Sequence, residues 1–221
     1  MNNSERWIVV SVFAVLVFAG LGFLLHVSPR FAGSGLGAVF GLSSAALMLV
    51  PLGYVVAKRI PVFKERILRR VSLQTWLTNH IYTGIAGALL ALIHTGHKYV
   101  SPLGIALTAS MLLVVVSGIV LRYLTPFVNL DMKDKLLLLQ TARGDLDHAW
   151  GASQPSVVAK EQITFLAEGV ADLEYSIRTH ELLKRWFSGA LTVHIVVSLA
   201  FYALLTAHIA AGLYFGLRWL P

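Results

Sequence analysis

Four of the eight histidines fall into two matched pairs. His80 and His94 stand 14 residues apart in one apolar stretch, and His194 and His208 stand 14 apart in another. At 3.6 residues per turn, 14 residues make just under four turns, so on a helix each pair shares a face to within about 40° and is separated by about 21 Å along the axis. An imidazole in an apolar stretch is costly, and its uses there are metal ligation, proton transfer or a hydrogen bond to a neighbouring helix. A lone histidine is most simply explained by the hydrogen bond. Two pairs with one spacing are hard to obtain from independent packing needs.

The stretches that carry them are long. The chain has 221 residues, of which 57% are hydrophobic and 13% charged, with a mean hydropathy of +0.72; an average soluble domain is about 25% charged. Apolar runs at 7–27, 36–57, 77–100, 103–123 and 186–217 each reach the roughly 20 residues that a bilayer core of about 30 Å requires. The expected fold is therefore all-α and integral to a membrane, with five transmembrane helices and one domain over 1–221. The first run has no small-residue cleavage site after it and is expected to be retained. Pro51 lies inside the second, which a membrane helix tolerates, and Ser101 with Pro102 forms a cap and first-turn proline for the fourth. The absence of cysteine excludes disulfides, thiolate zinc sites, iron–sulfur clusters and covalently attached c-type haem.

Lys and Arg between the runs set an expected direction. Arg6, six cations from Lys58 to Arg70 and eight from Arg122 to Arg185 make fifteen on one side, against Arg30, Lys98 and Arg218 on the other. The positive-inside rule makes the fifteen cytoplasmic, with the N-terminus inside and the C-terminus outside a membrane expected to be the prokaryotic cytoplasmic one. The net charge of +7 is first a topology signal. The polar segment 124–185 is expected to be a cytoplasmic helical insertion folded as a hairpin: one helix ending at Gly144, and a second starting near Ser156 with an apolar stripe of Ile163, Leu166, Val170, Leu173 and Ile177. The stripe serves packing or docking of a partner subunit. There is no glycine-rich nucleotide loop, and nucleic acid is not an expected partner.

The third and fifth runs cross in the same direction, so parallel helices would set His80 opposite His194 and His94 opposite His208. Two imidazoles on opposite sides of a planar macrocycle hold b-type haem without covalent bonds, and the spacing predicts two such sites, with these four residues as axial iron ligands. Gly84 and Gly87 would admit a flat group or a neighbouring helix, and Thr78, Tyr82, Thr192 and Thr206 could orient the ligands. Haem propionates need cations or polar groups at the membrane edges. Arg122, Lys184 and Arg185 are candidates inside, His97, Lys98 and Arg218 outside. His97 also has the chemistry of a proton acceptor at a quinone site, though as a ligand its distance of 17 from His80 would break the match. His26 is expected at an interface, and His148 and His180 in solvated loop.

At these residues the sequence resembles the dihaem bis-histidine membrane cytochromes b. It is similar to the N-terminal four-helix haem bundle of the cytochrome b subunits of quinol:cytochrome c reductases, where two ligands 14 apart on the second helix pair with two on the fourth. It more distantly resembles the transmembrane domains of ferric reductases and NADPH oxidases. The likeness covers roughly residues 80–208, and no Pro-Glu-Trp-Tyr motif is present. It implies a haem bundle made by the second to fifth runs, two haems b as cofactors, and transmembrane electron transfer as one subunit of a quinone-linked redox complex, with a membrane quinone, other redox subunits and the lipid bilayer as partners. The alternative is a ferric or oxygen reductase haem subunit fed by a separate flavoprotein.

Overall fold

The computed structural model describes residues 7, 8, 10, 11, 14, 15, 17, 18, 30–60, 71–98, 100–151 and 157–217. Among them the regular structure is all helical, including the described residues between 7 and 18. The helices with described bounds are α1 (Gly35–Arg59), α2 (Leu73–Thr95), α3 (Pro102–Val128), α4 (Lys133–Gly151) and α5 (Val157–Leu217). Four stretches are long and apolar enough to cross a membrane: Gly35–Val56, Leu73–Thr95, Pro102–Val128 and Lys160–Phe215. The expected first span lies largely outside the described residues, as do His26 and Arg218.

Local chemistry sets the helix ends. Ser34 and Ser72 cap α1 and α2 by accepting from the amides of Gly37 and Thr75, both at 3.1 Å. Ser101 and Pro102 open α3 as expected, with the Ile105 amide bonded to the Ser101 carbonyl. α2 stops at Gly96, whose φ of 56° is left-handed, a conformation that costs glycine little. The turn therefore begins five residues before the expected end at residue 100, and the helix starts four residues before the expected 77.

Two expectations about the polar segment are corrected. Gly144 is not a helix end, because α4 runs through it to Gly151. No break separates the segment's second helix from the last membrane run: α5 is one helix of 61 residues. The periodicity carries across residue 186, with Leu183, Phe187, Ala190 and His194 less exposed than their neighbours. The isolated glycines Gly169 and Gly189 each cost only about 1 kcal/mol in a helix, too little to stop it.

The chain divides into two compact units, 1–119 with 193–221, and 120–192. In the first, Ile8, Val15, Met48, Ile85, Ala88, Leu92, Met111 and Phe201 form one buried cluster. α1, α2, α3 and α5 all contribute, and Phe201 falls midway along the chain between His194 and His208. In the second, Arg143 pairs with Glu174 at 2.6 Å and Lys135 donates to Ser176 at 2.6 Å. Among its described residues Leu121, Leu139, Val170 and His180 are buried. His180 is thus not the solvated loop residue expected; it occupies the next step of the stripe 163, 166, 170, 173, 177. His148 is exposed on α4.

Candidate histidine pairs and their supporting helices

Two ring pairs lie within the first unit. The His80 and His194 rings have centroids 6.4 Å apart, and so do those of His94 and His208. That separation has a chemical meaning. A metal–imidazole nitrogen bond is about 2.0–2.1 Å and the ring centre lies about 1.1 Å behind the nitrogen, so two imidazoles on opposite sides of one metal ion have centroids about 6.3 Å apart. Aromatic rings in direct tilted or edge contact have centroids about 4.5–7 Å apart, and Phe31 and Phe40 stand at 6.2 Å. The separation of both pairs is compatible with an ion between the rings and with direct edge packing.

The second ring nitrogen of three of the four is already committed. His94 Nδ1 donates to the Gly37 carbonyl at 2.7 Å, and His80 Nδ1 to the Pro51 carbonyl at 3.3 Å. His194 Nδ1 lies 2.9 Å from Ser117 Oγ, whose own proton goes to the Val114 carbonyl at 3.1 Å. A carbonyl only accepts, and the serine's proton is used, so each Nδ1 carries the hydrogen. Each Nε2 then presents a lone pair. This is the tautomer a metal ligand requires, held by the outer hydrogen bond that orients ligating histidines. His208 makes no hydrogen bond through its ring among the described residues.

These partners come from α1 and α3. Thr192 and Thr206, expected to orient the ligands, instead bond back to the carbonyls of Ser188 and Tyr202 on their own helix, while Thr78 and Tyr82 are exposed. α1 runs antiparallel to α2 with a seven-residue register: Gly37 meets His94, Ser44 donates to the Gly87 carbonyl at 2.8 Å, and Pro51 meets His80. The signal was present as Gly37, Ser44 and Pro51 at steps of seven beside His80, Gly87 and His94 at steps of seven. A seven-residue repeat keeps one seam facing its partner.

Small residues seat the rings. A Cβ on Gly41 would stand 2.9 Å from the His94 ring, and one on Gly118 would stand 3.2 Å from His194 Cε1. Gly87 packs against Met48 and Ser44, so it serves helix packing, whereas a Cβ on Gly84 would meet nothing within 4 Å.

Other expected contacts are placed as follows. His97 has a left-handed backbone, φ 60°, directly after Gly96, and its amide bonds to Thr95 Oγ1 at 3.1 Å; Lys98 is exposed in the same turn. Arg122, Lys184 and Arg185 belong to the second unit. Within the first unit Tyr54 lies 5.4 Å from the His80 ring, and Lys58 Nζ stands 5.6 Å from the centre of the Tyr54 ring. Neither residue was singled out from sequence. Among the described residues, no cluster of three or more His, Asp or Glu is spaced for a metal ion. Two imidazoles alone are a poor site for a bare ion, which seeks four or more ligands; a macrocycle supplying four in a plane completes such a pair.

Comparison of the chain with protein families, curated proteins and solved structures finds no match.

Proposed function

We propose that this chain carries electrons across a membrane through two non-covalently held b-type haems, as the membrane subunit of a quinone-linked redox complex. The observation that supports this most directly is the facing of the four histidines in two pairs at 6.4 Å, three of them with tautomers that leave Nε2 available. In this reading α1, α2, α3 and the end of α5 form the haem bundle, His80 and His194 hold one iron, and His94 and His208 hold the other. When bound, each haem supplies a reversible one-electron iron couple. The chain's own work is to hold the rings, exclude water and set the separation of the two sites with the cluster around Met48, Ile85, Met111 and Phe201.

The cation distribution supports an orientation with the His80/His194 level at the cytoplasmic side and the His94/His208 level outside. One electron moving between levels about 21 Å apart crosses about two-thirds of the hydrocarbon, so a potential of 100 mV contributes about 1.5 kcal/mol to that transfer. A quinone head group at the outer level needs a proton acceptor. His97 suits that role, and its left-handed backbone is the kind of local cost that marks functional turns.

A pyridine haemochrome spectrum with haem quantified per chain tests the reading. Two haems b are expected, and a chain purified from haem-replete membranes with none would end it. Quinol-dependent reduction then separates quinone-linked transfer from a ferric or oxygen reductase fed by a flavoprotein. His97→Ala should slow that reduction and leave both haem spectra intact.

A further inference from the structure

One buried donor near His80 has no partner among the described residues. Trp76 Nε1 is shielded from solvent and makes no hydrogen bond to them, although burying an indole N–H without an acceptor is costly. The ring is deliberately seated: a Cβ on Gly53 would stand 2.7 Å from Trp76 Cζ3 and 3.3 Å from Cη2, so glycine is needed where the indole lies on α1. These atoms belong to the six-membered ring, and the N–H projects from the other part of the indole. Tryptophan at a membrane edge commonly bonds headgroups; this N–H is buried in protein and does not face them.

Its place on α2 identifies the missing acceptor. Trp76 is one turn before His80, on nearly the same face and about 6 Å nearer the helix start, and helical side chains lean further that way. A haem held at His80 would bring two carboxylates, anions that only accept, within reach of donors one turn away on the same face. Tyr54 beside His80 and Lys58 above Tyr54 put a cation at the same end of the unit. A buried donor, a nearby cation and a haem-ligand level one turn away are complementary to an anion that only accepts.

The geometry points to Trp76 Nε1 as the hydrogen-bond donor to a carboxylate of the haem held by His80 and His194, with Lys58 supplying charge at the same edge. This rests on the two-haem reading and extends it to a residue that touches the macrocycle's periphery. Trp76→Phe keeps the ring on Gly53 and removes only the N–H. A hydrogen bond to a charged group contributes about 1.5–3 kcal/mol, so its loss should weaken binding about ten-fold or more.

The test uses the full chain in detergent, made without haem, in a His94→Ala background that leaves the first site alone. It is titrated with haem b and with haem b dimethyl ester, whose carboxylates are masked. Haem b should bind the Trp76→Phe chain at least about ten-fold more weakly than the chain with Trp76. The ester should bind both equally, and the tryptophan vibrations in ultraviolet resonance Raman should report a new indole hydrogen bond only with haem b. Equal affinity for haem b in the two chains, or the same loss with the ester, overturns the assignment, the latter by showing that the indole packs or serves another anion such as a lipid phosphate. The ester arm with the unmutated Trp76 keeps the test valid if Trp76→Phe misfolds. Haem binding indifferent to Trp76 and to esterification removes this contact alone, whereas a chain that binds neither form removes the two-haem reading as well.

Discussion

The two histidine levels share a ring separation and differ in almost everything that holds it. At the His94/His208 level one ring is tied by a short hydrogen bond of 2.7 Å to a backbone carbonyl and pressed against Gly41, while the opposing ring has no hydrogen bond among the described residues. At the His80/His194 level both rings are tied, His80 by a long 3.3 Å contact to a carbonyl and His194 by 2.9 Å to a side-chain hydroxyl. A backbone carbonyl on a helix is fixed, whereas a serine hydroxyl is replaceable by mutation. The same ring separation is thus reached once by rigid backbone on one side and once by a shared, softer clamp. Two sites built this way are expected to differ in their tolerance of substitution and in redox potential.

Removing a ligand should have the largest effect and sort the four residues into their pairs. His80→Ala or His194→Ala is expected to halve haem content by emptying the first level, and His94→Ala or His208→Ala to halve it by emptying the second, measured as pyridine haemochrome per chain. Complementary spectra from the two groups are required. If His80→Ala and His94→Ala lost the same spectral component, the two levels would not be separate sites. The glycines come next. Gly41→Ala puts a methyl 2.9 Å from a ring pinned at 2.7 Å by Gly37, so the ring or helix must shift and the second haem should lose occupancy. Gly118→Ala meets His194 at 3.2 Å, and the serine that holds that ring can move with it; a milder loss at the first level is expected. Equal losses would remove the rigid-against-soft distinction.

The two ring pairs were legible because their signal is a spacing, and 14 residues mean the same face on any straight helix. Their supports were not found, although Gly37, Ser44 and Pro51 repeat at seven. Glycine, serine and proline have ordinary uses in membrane helices, and only the neighbouring helix shows which carbonyl a ring meets. Thr192 and Thr206 illustrate the reverse error. A hydroxyl near a ligand in sequence suggests a partner, but a helical threonine bonds readily to the carbonyl four residues back. The stripe along 163–177 predicted the inner face of that helix and failed at its end, where the next step is His180. Residue type was allowed to override period there. The long α5 was split at residue 186 because hydropathy changes at that point, while backbone geometry responds to breakers, and the sequence contains none strong enough between 157 and 217.

Ser117 offers a finer separation of the two levels. Its hydroxyl accepts from His194 Nδ1, which would make the ring a stronger electron donor to a haem held there and favour its ferric state. Ser117→Ala removes one neutral hydrogen bond of about 1 kcal/mol; only the part of it that differs between ferric and ferrous states moves the potential, so the shift should be below about 40 mV. The sign follows from the direction of donation: with less electron density on the ligand, ferrous iron is relatively favoured and the potential of the first haem rises. The second haem should not move. A redox titration followed in the visible bands measures both, and a shift of the His94/His208 haem instead would exchange the assignment of the levels.

Ring orientation gives the smallest effect and the one least dependent on energy. An imidazole interacts most strongly with the iron π orbital perpendicular to its own plane. Parallel rings act on the same orbital and split the π pair, while crossed rings act on one orbital each and leave the pair nearly degenerate, which makes the magnetic anisotropy of low-spin ferric iron large. The rings of His80 and His194 are inclined at 58° and those of His94 and His208 at 80°. Both haems are therefore expected to give low-spin signals of strong anisotropy in electron paramagnetic resonance, with the larger maximum g value belonging to the second level. Variants lacking one histidine assign them: His80→Ala should retain the more extreme signal and His94→Ala the less extreme. The opposite order would mean that the rings turn on ligation, and that the angle between them is set by the iron more than by the Gly37, Pro51 and Ser117 contacts.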